Sequence, residues 1–295
     1  MAEFVTALGE FAFLRQALFA GLMASLAAGV VGSFVVTRRI TAIAGSMAHT
    51  VLGGMGAAYY LSATRGWTWL HPLHGAVVTA ILAALLLALV RMRSSEREDT
   101  VISALWAVGM ATGVLFLFHT PGYKADLMSY LFGNVLLTDA GTLRLLLVLD
   151  LVILTVVALF YHPLQAISFD EDFARTRGVS VPFFYTLLLL LTALTVVTLI
   201  YVVGVVMVIA LLSLPVAAAG RFVHRLWQLM IAAAVLSALL TTGGLALSYS
   251  SDLPTGATTV LLAGVVYLAV HLVGSRRRRP AASTAAGGPG GGRVL

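Results

Sequence analysis

Apolar residues run along this chain in nine long stretches, at about 14–36, 43–62, 74–91, 101–118, 142–161, 183–201, 203–220, 228–248 and 257–274, with short polar or basic breaks between them. An α-helix needs roughly 20 apolar residues to cross a bilayer, within a range near 17–25, and most of the stretches meet that length. Backbone groups in hydrocarbon must be bonded within their own segment, so the pattern predicts helices. The pair at 183–220 is punctuated by Gly204 alone. Two readings are open there: two spans, or one long helix followed by a broken or re-entrant piece. The predicted fold is all-α, a polytopic transmembrane helical bundle of eight or nine spans.

Composition points the same way. Of the 295 residues, 60% are hydrophobic and 10% charged, with a mean hydropathy of +1.00. Soluble domains carry about 25% charged residues, so lipid is the solvent here. There is no cysteine, which removes disulfides, thiolate metal sites and cysteine catalysis. The opening "MAEFVTALGEFAFLRQ" has two glutamates and no basic n-region, so no cleaved signal peptide is expected. The net charge of +6 sits at the ends of alternate stretches: Arg38 and Arg39; Arg91, Arg93 and Arg97; Arg175 and Arg177; Arg221 and Arg225; Arg276 to Arg279. The opposite loops hold only Arg65 and Lys124, with Arg15 near the start. The positive-inside bias puts the arginine-rich loops and the C-terminus in the cytoplasm, for a multi-pass protein of the plasma (inner) membrane. Trp67 and Trp69 read as interface anchors. Basic charge placed this way contacts anionic lipid, not nucleic acid. Residues 1–274 form the transmembrane domain, and the Gly-, Ala- and Pro-rich 275–295 reads as a disordered cytoplasmic tail.

Chemistry-bearing residues are few. No phosphate-cradling glycine loop, no HExxH and no triad spacing occur, so no enzyme is expected in this chain. Seven histidines are present. His49 falls about one-third into the second stretch, among Gly45, Ser46, Ala48, Gly53 and Gly54. Ionisable groups inside a membrane are costly and face a pathway or a partner, and neutral imidazole is a common ligand for divalent metals. His49 therefore reads either as a contact for cargo or as a packing residue with one hydrogen bond. If the segment is helical, with Pro72 at the first helical position, His71 and His74 share a face and could add two ligands, too few for a tight site. His119 and Asp126 lie in the next outer loop, before an interrupted apolar piece at 121–141. The only acidic residue well inside a stretch is Asp150. The longest polar break before the tail is 161–182. In it Asp170, Glu171 and Asp172 precede Phe173, Ala174 and Arg175, and Gly178 follows. Acid first and base last is the order of a short helix complementing its own dipole. Such a helix between two spans could dock another protein.

Taken in order, several pieces resemble the membrane permease subunit of zinc- and manganese-type metal-ion ABC importers. They are Arg38-Arg39 with His49 ten residues on, "EDT" at 98–100, "YLFGNVLLT" at 130–138, "SFDEDFARTRGV" at 168–179, "VGVVMVIALLSLPVAAAG" at 203–220 and "LALSYSSDLPTGATTVLL" at 245–262. The resemblance implies a permease dimer working with a cytoplasmic ABC ATPase and an extracytoplasmic metal-binding protein. It implies a divalent metal ion as cargo, with no permanently bound cofactor. It makes Asp170–Gly178 the ATPase coupling helix and puts His49 on the path, with Ser46 a further candidate. One departure stands out: the family's usual aspartate, four residues before the histidine, is Gly45 here. The rival readings are a secondary transporter, a cobalamin or iron-chelate permease, and a membrane subunit that transports nothing.

Overall fold

The computed structural model describes residues 2–67, 69–93, 98–121 and 140–276. Among these residues the α-helices are α1 (Ala2–Glu10), α2 (Ala12–Thr37), α3 (Thr41–Arg65), α4 (Pro72–Arg93), α5 (Glu98–His119), α6 (Ala140–Leu159), α7 (Tyr161–Phe169), α8 (Glu171–Thr176), α9 (Val181–Val203), α10 (Val208–Ala219), α11 (Leu226–Ser251) and α12 (Thr255–Arg276). Most of the 121–141 piece, with Lys124 and Asp126, and the tail beyond Arg276 lie outside the described residues.

Seven of these helices are long and apolar enough to cross a membrane: α2, α4, α5, α6, α9, α11 and α12. The expected eight or nine are not reached on this measure, and two stretches fall short for different reasons. α3 has the length, 25 residues, but not the apolarity, because its buried side includes Gly45, Ser46, His49, Gly53 and Gly54. Protein covers that side, so it has no need to match lipid. The other is α10, only 12 residues long. Between α9 and α10 the chain turns at Gly204, with φ 83° and ψ 163°, a region essentially reserved for glycine. A 3₁₀ turn at Val205–Met207 follows. Of the two readings of 183–220, the long helix with a broken continuation is the one observed.

α2 and α9 are central and mostly buried, whereas α5 and α12 are mostly exposed. The peripheral helices present Val108, Leu115, Leu261 and Val265 outward, as lipid-facing surfaces do. Lipid supplies no hydrophobic drive between helices, so contact depends on small residues that let backbones approach. α3 shows this on two sides. A Cβ on Gly54 would fall on the Gly75 carbonyl of α4, and one on Gly75 would fall on the Gly54 carbonyl. Towards α5, Gly53 and Gly56 meet the carbonyls of Gly109 and Gly113, at 3.0 and 2.8 Å from where a Cβ would sit. Elsewhere Ser25 and Thr241 hydroxyls, 2.5 Å apart, tie α2 to α11.

Two helices were not expected. α1 is fastened by Arg15, which donates to the carbonyls of Leu8 and Gly9 at 3.2 and 3.0 Å. α7 lies in what read as a polar break. Asp150, on α6, is buried, and neither of its carboxyl oxygens has a partner among the described residues.

Candidate functional site

Of the seven histidines, His49 alone is buried. Its Nδ1 lies 2.9 Å from the carbonyl oxygen of Gly45, one turn back on α3. A carbonyl only accepts, so Nδ1 carries a proton, and in a neutral imidazole the Nε2 lone pair is then left without a partner among the described residues. The ring stacks on Trp106 of α5, centroids 4.4 Å apart and planes 26° apart. Next to it, Thr50 donates to the carbonyls of Ser46 and of Leu105 on α5, at 2.8 and 3.1 Å, which pins α3 to α5 beside the imidazole. Ser46 is buried and its hydroxyl donates to the Ile43 carbonyl at 2.9 Å.

The surroundings of Gly45 explain why no side chain stands there. A Cβ would meet Ile209 Cδ1 at 2.5 Å and Trp106 Cζ3 at 3.0 Å. α10 and α5 therefore fill the space that a carboxylate at this position would occupy. Gly45→Asp is expected to lower the melting temperature of the solubilised protein through overpacking, a cost of about 1–3 kcal/mol. Adding Ile209→Ala should recover most of that loss.

His71 and His74 are exposed and do not come near His49. Gly75 faces Gly54, and the two histidines lie further towards the far end of α3. Both serve the start of α4, which begins at Pro72 as the sequence predicts. His71 Nδ1 accepts from the Leu73 amide at 3.3 Å, and His74 Nδ1 from the His71 amide at 3.2 Å. His119 Nδ1 is 2.9 Å from the Leu115 carbonyl. Among the described residues, no group of three or more His, Cys, Asp or Glu side chains could hold a metal.

The Asp170–Gly178 segment folds as its charge order predicts. Asp170 caps α8 by accepting from the Phe173 amide at 3.0 Å. Gly178, at φ 78°, turns the chain away, and the Val179 amide closes back on the Ala174 carbonyl at 3.0 Å. The helix has two faces. Ala174 is fully buried and Glu171 turns inward to Arg38 and Arg91. Asp172, Phe173 and Arg175 stay exposed, with Phe169 beside them. Burial and the charge of Arg91 hold the Arg38 guanidinium below its usual range, against the opposing pull of Tyr185 and Glu98.

Sequence reasoning missed Trp106 and Ile209 around His49, and Phe169 beside α8. A tryptophan set in the first half of a span whose other aromatic side chains, Phe116 and Phe118, lie at its far end was the available signal for Trp106.

The sequence profile described as the ABC 3 transport family matches residues 10–274. A membrane protein of uncharacterised function from Synechocystis sp. is 41% identical over 259 residues, covering 88% of this chain and 90% of that protein. The manganese transport system membrane protein MntC of Halalkalibacterium halodurans is 31% identical over 258 residues, covering 88% and 86%. The solved structure of PsaBC from Streptococcus pneumoniae in complex with Fab superposes with a TM-score of 0.83 at 28% identity, over 94% of this chain and 98% of that one. Sequence and fold agree from α2 through α12, and the chain belongs to the ABC 3 transport family.

Proposed function

We propose that this chain forms the membrane path of an ATP-driven importer of a divalent metal ion, manganese or zinc. A separate cytoplasmic ATPase burns the nucleotide and grips the exposed face of α8 through Phe169, Asp172, Phe173 and Arg175. The observation that carries the reading is His49: one buried imidazole among seven, its Nδ1 proton committed and its Nε2 lone pair open. A lone neutral imidazole holds a cation loosely enough to release it, as conduction requires. The name of the manganese transport relative supports the choice of cargo. The ion is substrate and not a resident cofactor. On this reading α3 is an eighth span enclosed by protein. The end bearing α8 faces the cytoplasm, and so does the C-terminus with its 275–295 tail. A second copy of the chain and an extracytoplasmic metal-binding protein complete the assembly, and His71 and His74 are left with capping α4.

The test is uptake of radiolabelled manganese and zinc into vesicles that hold the chain with its ATPase and binding protein. ATP-dependent accumulation of one of the two ions is expected. Accumulation that persists without the ATPase, or none under any condition, would sink the reading.

A further inference from the structure

Five side chains from five helix ends meet in one charged knot. Arg38 follows α2, Arg91 is in the last turn of α4, and Glu98 opens α5. Glu171 opens α8 and Tyr185 lies in the second turn of α9. One oxygen, Glu171 Oε1, accepts from Arg38 Nη2 and also from Arg91 Nη2, the latter at 2.9 Å. Arg91 Nη1 reaches Glu98 Oε2 at 3.3 Å. The Tyr185 hydroxyl donates to Glu98 Oε1 at 3.0 Å. Both guanidinium groups lie over the Tyr185 ring, with Cζ 4.7 and 4.5 Å from its centroid. Arg38 Nη1 donates as well to the Ile167 carbonyl in α7. Each of the five side chains engages at least two of the others.

The rest of the α8 attachment is slight. The helix has six residues, and Ala174 is its one buried side chain. It sits between the extended Asp170 and the left-handed Gly178. Without the knot it would be a short rod on two hinges. With it, a displacement of α8 reaches α2, α4, α5 and α9 together. Exposed ion pairs hold little, but the Arg38 side chain is only 8% exposed. Removing the carboxylate leaves two guanidinium groups facing each other, and the buried Arg38 loses its one ion-pair partner among the described residues.

We propose that the Arg38–Glu171–Arg91 knot built over Tyr185 is the joint that passes movement of α8 to the spans. This rests on the reading of α8 as the ATPase grip. Allosteric coupling of this kind is a free energy shared between two sites, and its loss separates them without stopping either.

The test uses the complete transporter in manganese-loaded vesicle assays, with Glu171→Gln, Tyr185→Leu and Tyr185→Phe compared at matched assembly. Glu171→Gln and Tyr185→Leu are expected to lower uptake per ATP hydrolysed by about tenfold, while hydrolysis continues. Tyr185→Phe keeps the ring and is expected to stay near the parent. Hydrogen exchange supplies a second readout: the amides of 171–178 lose protection in Glu171→Gln, while those of α3 keep theirs. Should Glu171→Gln fail to assemble, Glu171→Asp takes its place. Unchanged uptake per ATP in the first two variants would overturn the joint, as would a parallel fall of uptake and hydrolysis at matched assembly. A parent complex with no ATP-driven uptake would instead sink the transport reading, and the joint with it.

Discussion

Alanine at position 49 is expected to cut cation uptake roughly 10–100-fold, the range seen when a group that shapes a metal's surroundings is lost, with little change in melting temperature. The imidazole gives its own helix a single hydrogen bond, to Gly45, and alanine is the best helix former. Its stacking on Trp106 is a packing contact that a small residue forfeits at modest cost. The free Nε2 lone pair has no equivalent in alanine. His49→Gln serves as the contrasting variant, since it fills the space without an imidazole. If the role is packing, Gln should restore uptake and Ala should lower the melting temperature. If the role is contact with the ion, both variants should lose uptake together. The measurements are initial uptake rate at matched protein per vesicle and thermal melting in the same detergent.

Gly54→Ala is expected to cost about 3 kcal/mol or more, the upper end of overpacking, and to leave little folded protein. The added methyl would lie against the Gly75 carbonyl and inside the Thr79 hydroxyl. Gly75 is blocked in turn by the Gly54 backbone. Neither backbone can give way alone, so α3 and α4 must separate along their whole crossing. Gly9→Ala is the control. Nothing lies within 4 Å of that position, and a glycine inside a helix is worth roughly 0.5–1 kcal/mol less than alanine. Its variant should melt no lower than the parent. Equal melting of the two variants would show that the α3–α4 contact is looser than described.

The bundle was largely legible because lipid enforces the pattern: each of the nine apolar stretches became a helix, and Gly204 broke the chain where the sequence carried its one punctuation. α8 was legible too, since a short surface helix must cap itself, and Asp170 does so. α1 and α7 were not, being short and stabilised by contacts with distant residues, such as the Phe4–Tyr249 edge contact at 6.2 Å. In the turn after α11, Asp252 takes the left-handed conformation and Gly256 lies inside α12. His49 could be picked out because an imidazole in a span is costly. The neighbours that define its setting could not, because Trp106 and Ile209 reach it across helix interfaces that no local period encodes. Arg38 and Arg91 read as topology markers, and that role hid their partnership with Glu171 and Tyr185.

The glycine-lined α3 has a consequence for how the chain is made. A segment this weakly apolar has little reason to leave the insertion channel sideways for the bilayer unaided. If α3 is a span, it is expected to enter the bilayer together with α4, whose Gly75 faces Gly54, as a helical hairpin and not alone.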